Sequence, residues 1–200
     1  MTTYHVIGDR AAVLSYAART MELVDRFDLH EARSLARFFD AWARAYGDEF
    51  DAALQALEVE FPHVTRMGSM PELYAGMLAG VRLEAGQAAQ ALELLDGVLS
   101  TVKEPGVGFF LPEIHRLRAE CLLRSTQPDF DEALRAFETA IETSKLQQAN
   151  TYQLAAAIGL ARAWSSAGRP ERGAPALREA ASAFTDDGDI TAQVATARQI

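Results

Sequence analysis

The turns of this chain recur at a nearly constant spacing, and this regularity limits the folds that the chain can adopt. A turn residue stands at Gly47, Gly86, Pro128 and Gly168, so successive turns are separated by 39, 42 and 40 residues. A small residue follows three of the turns by five positions, and a bulky residue stands four positions later: Ala91 and Leu95, Ala133 and Phe137, Gly173 and Leu177. Because a small residue lets a partner helix approach closely and a bulky one fills the adjacent groove, the pattern predicts stacked helical hairpins.

One of these hairpins is clearest between Phe109 and Glu142. Apolar residues recur at i, i+3, i+4 and i+7 on both sides of a turn at residues 126–129. The first stripe contains Ile114, Leu117, Cys121 and Leu122, and the second contains Ala133, Leu134, Phe137, Ala140 and Ile141. Two such stripes joined by a short turn must face each other. A single hairpin buries little surface, so further hairpins are expected to stack on it.

The same period runs through most of the chain and predicts helices only. Hairpins are expected near residues 31–61, 72–103, 112–146 and 151–184, with flanking helices at 11–27 and 190–200. Pro62 is expected to stop one helix, Gly86 to follow the end of another, and Asn150 or Thr151 to cap a later one. No segment alternates like a strand. Residues 1–200 are therefore predicted to form a single all-α domain of about ten helices in antiparallel hairpins.

Charge and cysteine content restrict the class of partner. The formal net charge of −9 argues against direct binding of nucleic acid or of an anionic membrane. Cys121 is the only cysteine and cannot form an internal disulfide, which fits a reducing compartment. No apolar run approaches the roughly 20 residues that span a bilayer, and the N-terminus has no secretory signal. A cytoplasmic location is therefore expected.

Three segments carry a resemblance to a known family. They are EIHRLRAECLL (113–123), LAAAIGLARAWSSAGRPERG (154–173) and AFTDDGD (183–189). With the repeated pattern of turn, small residue and bulky residue, they resemble the tetratricopeptide-like C-terminal arm of a large bacterial family. Its members join an adenylate-cyclase-like or winged-helix module to a signal-transduction ATPase and this arm. The resemblance implies a tetratricopeptide-like superhelix, although the repeat here exceeds the roughly 34 residues of a tetratricopeptide repeat.

The residues that usually carry catalysis do not form a recognisable pattern. No glycine-rich phosphate loop ends in Gly-Lys. The histidines, His5, His30, His63 and His115, lack metal-ligand spacing with Cys121. Cys121 lies on the apolar face of its helix, where a buried small side chain is more common than a nucleophile. We therefore expect no enzyme activity, no cofactor and no metal.

The distribution of charge suggests a binding surface. In tetratricopeptide arrays the first helix of each hairpin lines the concave groove. The four first helices carry a net charge of +2 and the four second helices carry −7. The predicted partner-binding residues are Arg37, Arg44, Glu113, Arg116, Glu120, Arg124 and Arg162. An arginine-rich groove suits the carboxylates of an acidic peptide or partner domain. The alternative is a solvated surface of intrahelical ion pairs.

Two functions are compatible with these observations, and a third is disfavoured. The first is a non-enzymatic interaction and regulatory module that binds a protein segment, or another domain of a parent chain, in its groove. The second is a self-associating structural arm, such as a homodimer, whose apolar end includes Ile190 and Val194. A nucleotide-binding or hydrolytic enzyme is disfavoured because the corresponding motifs are missing.

Overall fold

The computed structural model describes residues 9–67, 70–102 and 108–184, and these residues form nine α-helices and no strand. The all-α prediction is thereby confirmed. The helices are α1 (Arg10–Phe27), α2 (His30–Arg44), α3 (Phe50–Arg66), α4 (Pro71–Glu84), α5 (Ala88–Thr101), α6 (Leu111–Arg124), α7 (Phe130–Leu146), α8 (Asn150–Ser166) and α9 (Pro170–Ala181). The helix predicted at 190–200, with Ile190 and Val194, lies outside the described residues. Within the described ranges, every helix is too short or too polar to cross a bilayer.

The helices belong to two compact units, residues 1–85 with α1–α4 and residues 86–200 with α5–α9. The hairpin predicted at 31–61 corresponds to α2 and α3, and those at 112–146 and 151–184 correspond to α6–α7 and α8–α9. The hairpin predicted at 72–103 contributes α4 to the first unit and α5 to the second. Within each unit, helices that are consecutive in sequence pack side by side, as their short connections favour.

Aromatic side chains form the core of the first unit. Phe38 and Phe39 of α2 are almost completely buried, and Tyr74 of α4 packs edge-to-face against both. The ring centroids of Phe38 and Tyr74 are 5.5 Å apart, within the range favoured by aromatic pairs. Trp42, one turn further along α2, is also buried and contacts the ring of Tyr46.

The third helix passes through Pro62 and ends at Arg66, so the predicted end at Phe61 is wrong. Val64, in the turn after the proline, is completely buried, and burial of this side chain favours continuing the helix. Side chains of the last turn also bond to its carbonyl groups, with Thr65 Oγ1 donating to the Phe61 carbonyl oxygen at 2.9 Å. Tertiary packing thus outweighs the hydrogen bond that a proline removes.

The small and bulky residues of the repeat are buried in the second unit, as predicted. Ala91, Ala133, Leu95 and Phe137 are fully buried, and Leu177 is 7% exposed. A Cβ atom added to Gly173 would lie 2.6 Å from the Cα atom of Ala161. The backbones of α8 and α9 therefore approach each other so closely that only glycine fits at position 173 without displacement.

Two of the predicted turn glycines have left-handed backbones. Gly86 has φ = 74° and Gly168 has φ = 73°, a region that glycine enters without steric cost. Gly86 lies two residues beyond the end of α4, which agrees with its predicted place after the helix.

The predicted capping of α8 by Asn150 or Thr151 is wrong. Asn150 is already the first helical residue, and Ala149 occupies the N-cap position without a side-chain hydrogen bond. The preceding connection is very tight, because the Ala149 N–H bonds to the Ser144 carbonyl oxygen at 2.9 Å and Gln148 is left-handed with φ = 54°. Because this turn is so short, the N-cap position falls on Ala149, and Asn150 already lies within the helix. In contrast, the side chains of Asp9 and Asp129 cap α1 and α7.

Candidate functional site

The predicted partner-binding residues fall into two groups, one in each unit. Arg37 and Arg44 lie on α2 in the first unit. The other five lie on α6 and α8 in the second unit: Glu113, Arg116, Glu120, Arg124 and Arg162. Both residues of the first group border one cavity, and three residues of the second group (Glu120, Arg124 and Arg162) border another.

In the first unit both predicted arginines already have carboxylate partners. Arg37 Nη1 lies 3.5 Å from the largely buried Glu60 carboxylate. Arg44 Nε lies 2.7 Å from Asp40 and its Nη1 lies 3.0 Å from Glu49, and hydrogen bonds with these two carboxylates raise the pKa of Arg44 above its ordinary value. These residues border a cavity of about 420 Å³ whose floor is rich in alanine. Its two arginines are balanced by carboxylates from the same unit, which leaves little positive charge for an anionic partner.

In the second unit Arg116 is held by its own helix. Its guanidinium forms a two-pronged hydrogen bond with Glu113, with Nε and Nη2 at 2.7 and 2.6 Å from the two oxygens, and a further bond with Glu120. The Arg116 side chain is only 18% exposed. The alternative of intrahelical ion pairs, left open by the sequence, therefore describes Arg116 well. Its donors would have to exchange a carboxylate before they could bind one from a partner.

Three other predicted residues come together around a cavity of about 400 Å³. It opens where α6 ends, α7 begins and the second half of α8 passes, and Glu120, Arg124 and Arg162 all line it. Arg124 Nη2 lies 3.8 Å from Glu120, whereas Arg162 is exposed and has no ion pair with any residue that the structure describes. We call this cavity the α6–α8 pocket. Its other lining residues are Leu123, Phe130, Phe137, Gly159, Ala163, Ser166 and Ala167.

A glycine at position 159 allows a close packing contact at the floor of the α6–α8 pocket. A Cβ atom added to Gly159 would lie 2.3 Å from Cε1 of Phe137, closer than any real contact. The fully buried ring of Phe137 therefore lies directly against the backbone of α8. The sequence contained a signal for this feature, since glycine inside a helix costs about 1 kcal/mol relative to alanine and suggests a close approach.

Aromatic contacts fix one wall of the pocket. Phe130, the first residue of α7, packs edge-to-face against Trp164 of α8, with ring centroids 5.5 Å apart. The guanidinium of Arg172 on α9 lies 4.3 Å from the centroid of the Trp164 ring. Three helices thus converge on Trp164, and Phe130 is held between this residue and the pocket. Trp164 is half-buried rather than part of the fully buried core.

An ion-pair network in the second unit involves a residue that the sequence analysis did not select. Arg118 of α6 reaches Asp96 of α5 at 2.7 Å and Glu132 of α7 at 2.8 Å. Burial alone would lower the pKa of Arg118, but the hydrogen bonds to the two carboxylates raise it. Arg118 therefore connects three helices. Asp96 and Glu132 are distant from Arg118 in sequence, so periodicity within one helix could not identify them.

The surroundings of Cys121 and His115 shift the pKa of both groups. Cys121 is completely buried, as predicted, and burial together with the nearby Glu120 carboxylate raises the pKa of its thiol to about 12. Since the thiolate is the nucleophile, this thiol is unreactive near neutral pH. Burial and the nearby Arg118 lower the pKa of His115. Among the described residues, no three His, Cys, Asp or Glu side chains are grouped so that they could hold a metal ion.

Comparisons of the chain with protein-family models, with curated proteins and with solved structures give no match. The interpretation of the site therefore depends on its own geometry and charge.

Proposed function

We propose that this chain is a non-enzymatic protein-interaction and regulatory module that binds an acidic segment of a partner protein in the α6–α8 pocket. The observation that carries the proposal is the convergence of Glu120, Arg124 and Arg162 on one cavity whose other lining residues are mostly apolar. Two guanidinium groups face one carboxylate there, and Glu120 also binds Arg116. A partner carboxylate could bind Arg162, which has no ion pair among the described residues, through two hydrogen bonds.

The wider setting of the proposal is the tetratricopeptide-like superhelix and its resemblance to the arm of bacterial signal-transduction regulators. Consecutive packing of the helices within each unit and the close contact at Gly173 support this architecture. In such an arm, the pocket would receive a segment of another protein or of another domain of the same parent chain. A regulatory signal would then change whether that segment is bound.

The test is a binding titration with short acidic peptides whose ends are capped, so that only side chains carry charge. Replacing both Arg124 and Arg162 by glutamate is expected to weaken binding by at least about tenfold, because attraction becomes repulsion at two positions. The matched control replaces Glu138 and Glu142 by lysine, since both are exposed on α7 and neither lines the pocket. Absence of binding to the unaltered protein, or equal weakening by the control, would contradict the proposal.

A second candidate function is a self-associating structural arm, which exposed apolar side chains at the end of α1 favour. Leu23 is 43% exposed, Phe27 is 58% exposed one turn later, and Leu29 follows at 50%. Exposed apolar residues that lie together often mark contact surfaces between proteins. Light scattering should then detect a dimer whose fraction rises with concentration.

Replacing Leu23 and Phe27 by lysine should abolish that dimer if α1 forms the contact. Lysine at Val59, which is also 58% exposed but lies on α3, serves as the control. A mass equal to one chain at every concentration would remove this candidate.

A further inference from the structure

We propose that the segment bound by the α6–α8 pocket presents a large apolar side chain, such as leucine, immediately beside its acidic side chain. This inference rests on the function proposed above and specifies its ligand. It follows from the two distinct parts of the pocket, a cationic rim and an apolar interior, which require different chemistry from a ligand.

The apolar part of the pocket has room for a ligand side chain, because large side chains form its walls and small residues form its floor. Leu123 and Phe130 are only partly buried although both belong to the pocket lining, so each leaves apolar surface in contact with water. Gly159 and Ala163 lie one turn apart on α8, and their small size leaves space above the helix backbone. The cavity of about 400 Å³ lies near the lower end of the range of roughly 300–1,000 Å³ for ligand sites. Burying an apolar ligand side chain there would remove both surfaces from water.

The cationic part selects a carboxylate rather than a more highly charged anion. Arg124 and Arg162 provide two positive charges, but Glu120 contributes a negative charge to the same lining. A singly charged carboxylate can bind Arg162, which has no carboxylate partner in the described part of the chain, and remain near Arg124. A doubly charged phosphate would be attracted more strongly by the two arginines, but it would also be repelled more strongly by Glu120 and would lose more hydration beside apolar side chains. We therefore assign glutamate or aspartate, rather than a phosphorylated residue, to this site.

The apolar and acidic side chains of the ligand must be close in its sequence. The reason is that residues of the apolar part of the pocket are directly adjacent in the chain to residues of the cationic rim. Leu123 and Arg124 are adjacent at the end of α6, and Arg162 and Ala163 are adjacent on α8. In each pair one residue belongs to the apolar part and the other to the cationic rim. An acidic residue flanked by a large apolar residue matches this arrangement.

The experiment measures binding of capped peptides that differ at one position, in the full chain. The first peptide carries glutamate with leucine on both sides, the second replaces leucine by alanine, and the third replaces glutamate by glutamine. Calorimetry gives the affinities, and tryptophan fluorescence of a Trp42→Phe background reports on Trp164, which packs on the pocket residue Phe130. We expect the second and third peptides to bind at least about tenfold more weakly than the first.

Protein variants assign these losses to the two parts of the pocket. Leu123→Ala should weaken the leucine peptide while leaving the alanine peptide unchanged. Arg162→Gln should remove the preference for glutamate over glutamine. Equal affinity for the leucine and alanine peptides would overturn this inference while the proposed function stands. No binding of any acidic peptide would overturn the proposed function itself. Stronger competition by inorganic phosphate than by acetate would overturn the choice of a carboxylate.

Discussion

At the scale of single residues, replacing each of two helical glycines by alanine should change the free energy of unfolding in opposite directions. Gly159→Ala places a Cβ atom 2.3 Å from the buried Phe137 ring, so the ring must move, and we expect a loss of about 1–3 kcal/mol in the free energy of unfolding. Gly97 lies inside α5 and has no atom within 4 Å of an added Cβ, so Gly97→Ala should raise that free energy by about 0.4–1 kcal/mol. Urea denaturation measures both. Stabilisation by Gly159→Ala would show that α7 and α8 are further apart than described.

The buried thiol of Cys121 should make stability depend on alkaline pH. The pKa of the thiol is raised from 9.0 to about 12, first by burial and then by Glu120. The stabilising contribution of the protonated thiol is therefore complete below pH 9.0 and is lost as pH rises toward about 12. Over this range the unaltered protein should lose stability relative to Cys121→Ala by at most about 1.4 kcal/mol per pH unit. Denaturant titrations of both proteins measure the difference, and parallel pH profiles would contradict the prediction.

At the scale of helices, Arg118 should contribute more to stability than a nearby arginine whose ion pair lies within its own helix. Arg118→Met removes contacts from α6 to both α5 and α7, and we expect a loss of about 1–2 kcal/mol after allowing for its partial exposure. Arg135→Met is the control, because Arg135 is exposed and pairs with Glu132 of its own helix. Thermal denaturation compares the two variants. Equal destabilisation would mean that the link between helices adds nothing to an ordinary surface pair.

The helices themselves were predictable because their apolar periodicity is strong, whereas some of their ends were not. Ala133 and Phe137, the small and bulky residues of one repeat, were identified from spacing alone, and both are fully buried. The sequence did not predict the end of α3, because local preference marks Pro62 as a stop. Burial of Val64 against other parts of the protein extends the helix beyond the proline.

Prediction of the candidate site was limited by contacts between helices. The arginines of α6 were recognised from charge, but Glu113 and Glu120 satisfy Arg116 within one helix, which leaves Arg124 and Arg162 as the better candidates. Leu123 and Phe130 were not selected because an apolar residue at a cavity and one in the core have the same sequence pattern.

At the scale of the whole molecule, the net charge of −9 opposes the local attraction in the α6–α8 pocket. The two effects have different ranges. Contacts within the pocket act over a few ångströms, whereas repulsion by the whole chain acts over the Debye length, which falls from about 30 Å at 0.01 M salt to about 8 Å at 0.15 M. Added salt therefore removes the long-range repulsion more completely than the short-range attraction. A ligand with many acidic residues should be disfavoured at low salt even when one of its residues fits the pocket.

This difference leads to a prediction that separates pocket recognition from general charge attraction. A capped peptide with one glutamate between two leucines carries a single negative charge, so the long-range repulsion is weak and its association rate should change little between these salt concentrations. A peptide with the same centre and flanking runs of aspartate should associate several-fold faster at about 0.15 M salt than at about 0.01 M, because repulsion by the acidic chain is screened. Stopped-flow measurement of Trp164 fluorescence, in the Trp42→Phe background, gives both association rates. Replacing Glu138 and Glu142 by lysine makes the chain less acidic without altering the pocket lining, and should reduce the salt effect on the aspartate-rich peptide alone. If both peptides instead associate fastest at low salt, the arginines attract acidic chains over long range, and selection by the pocket is wrong.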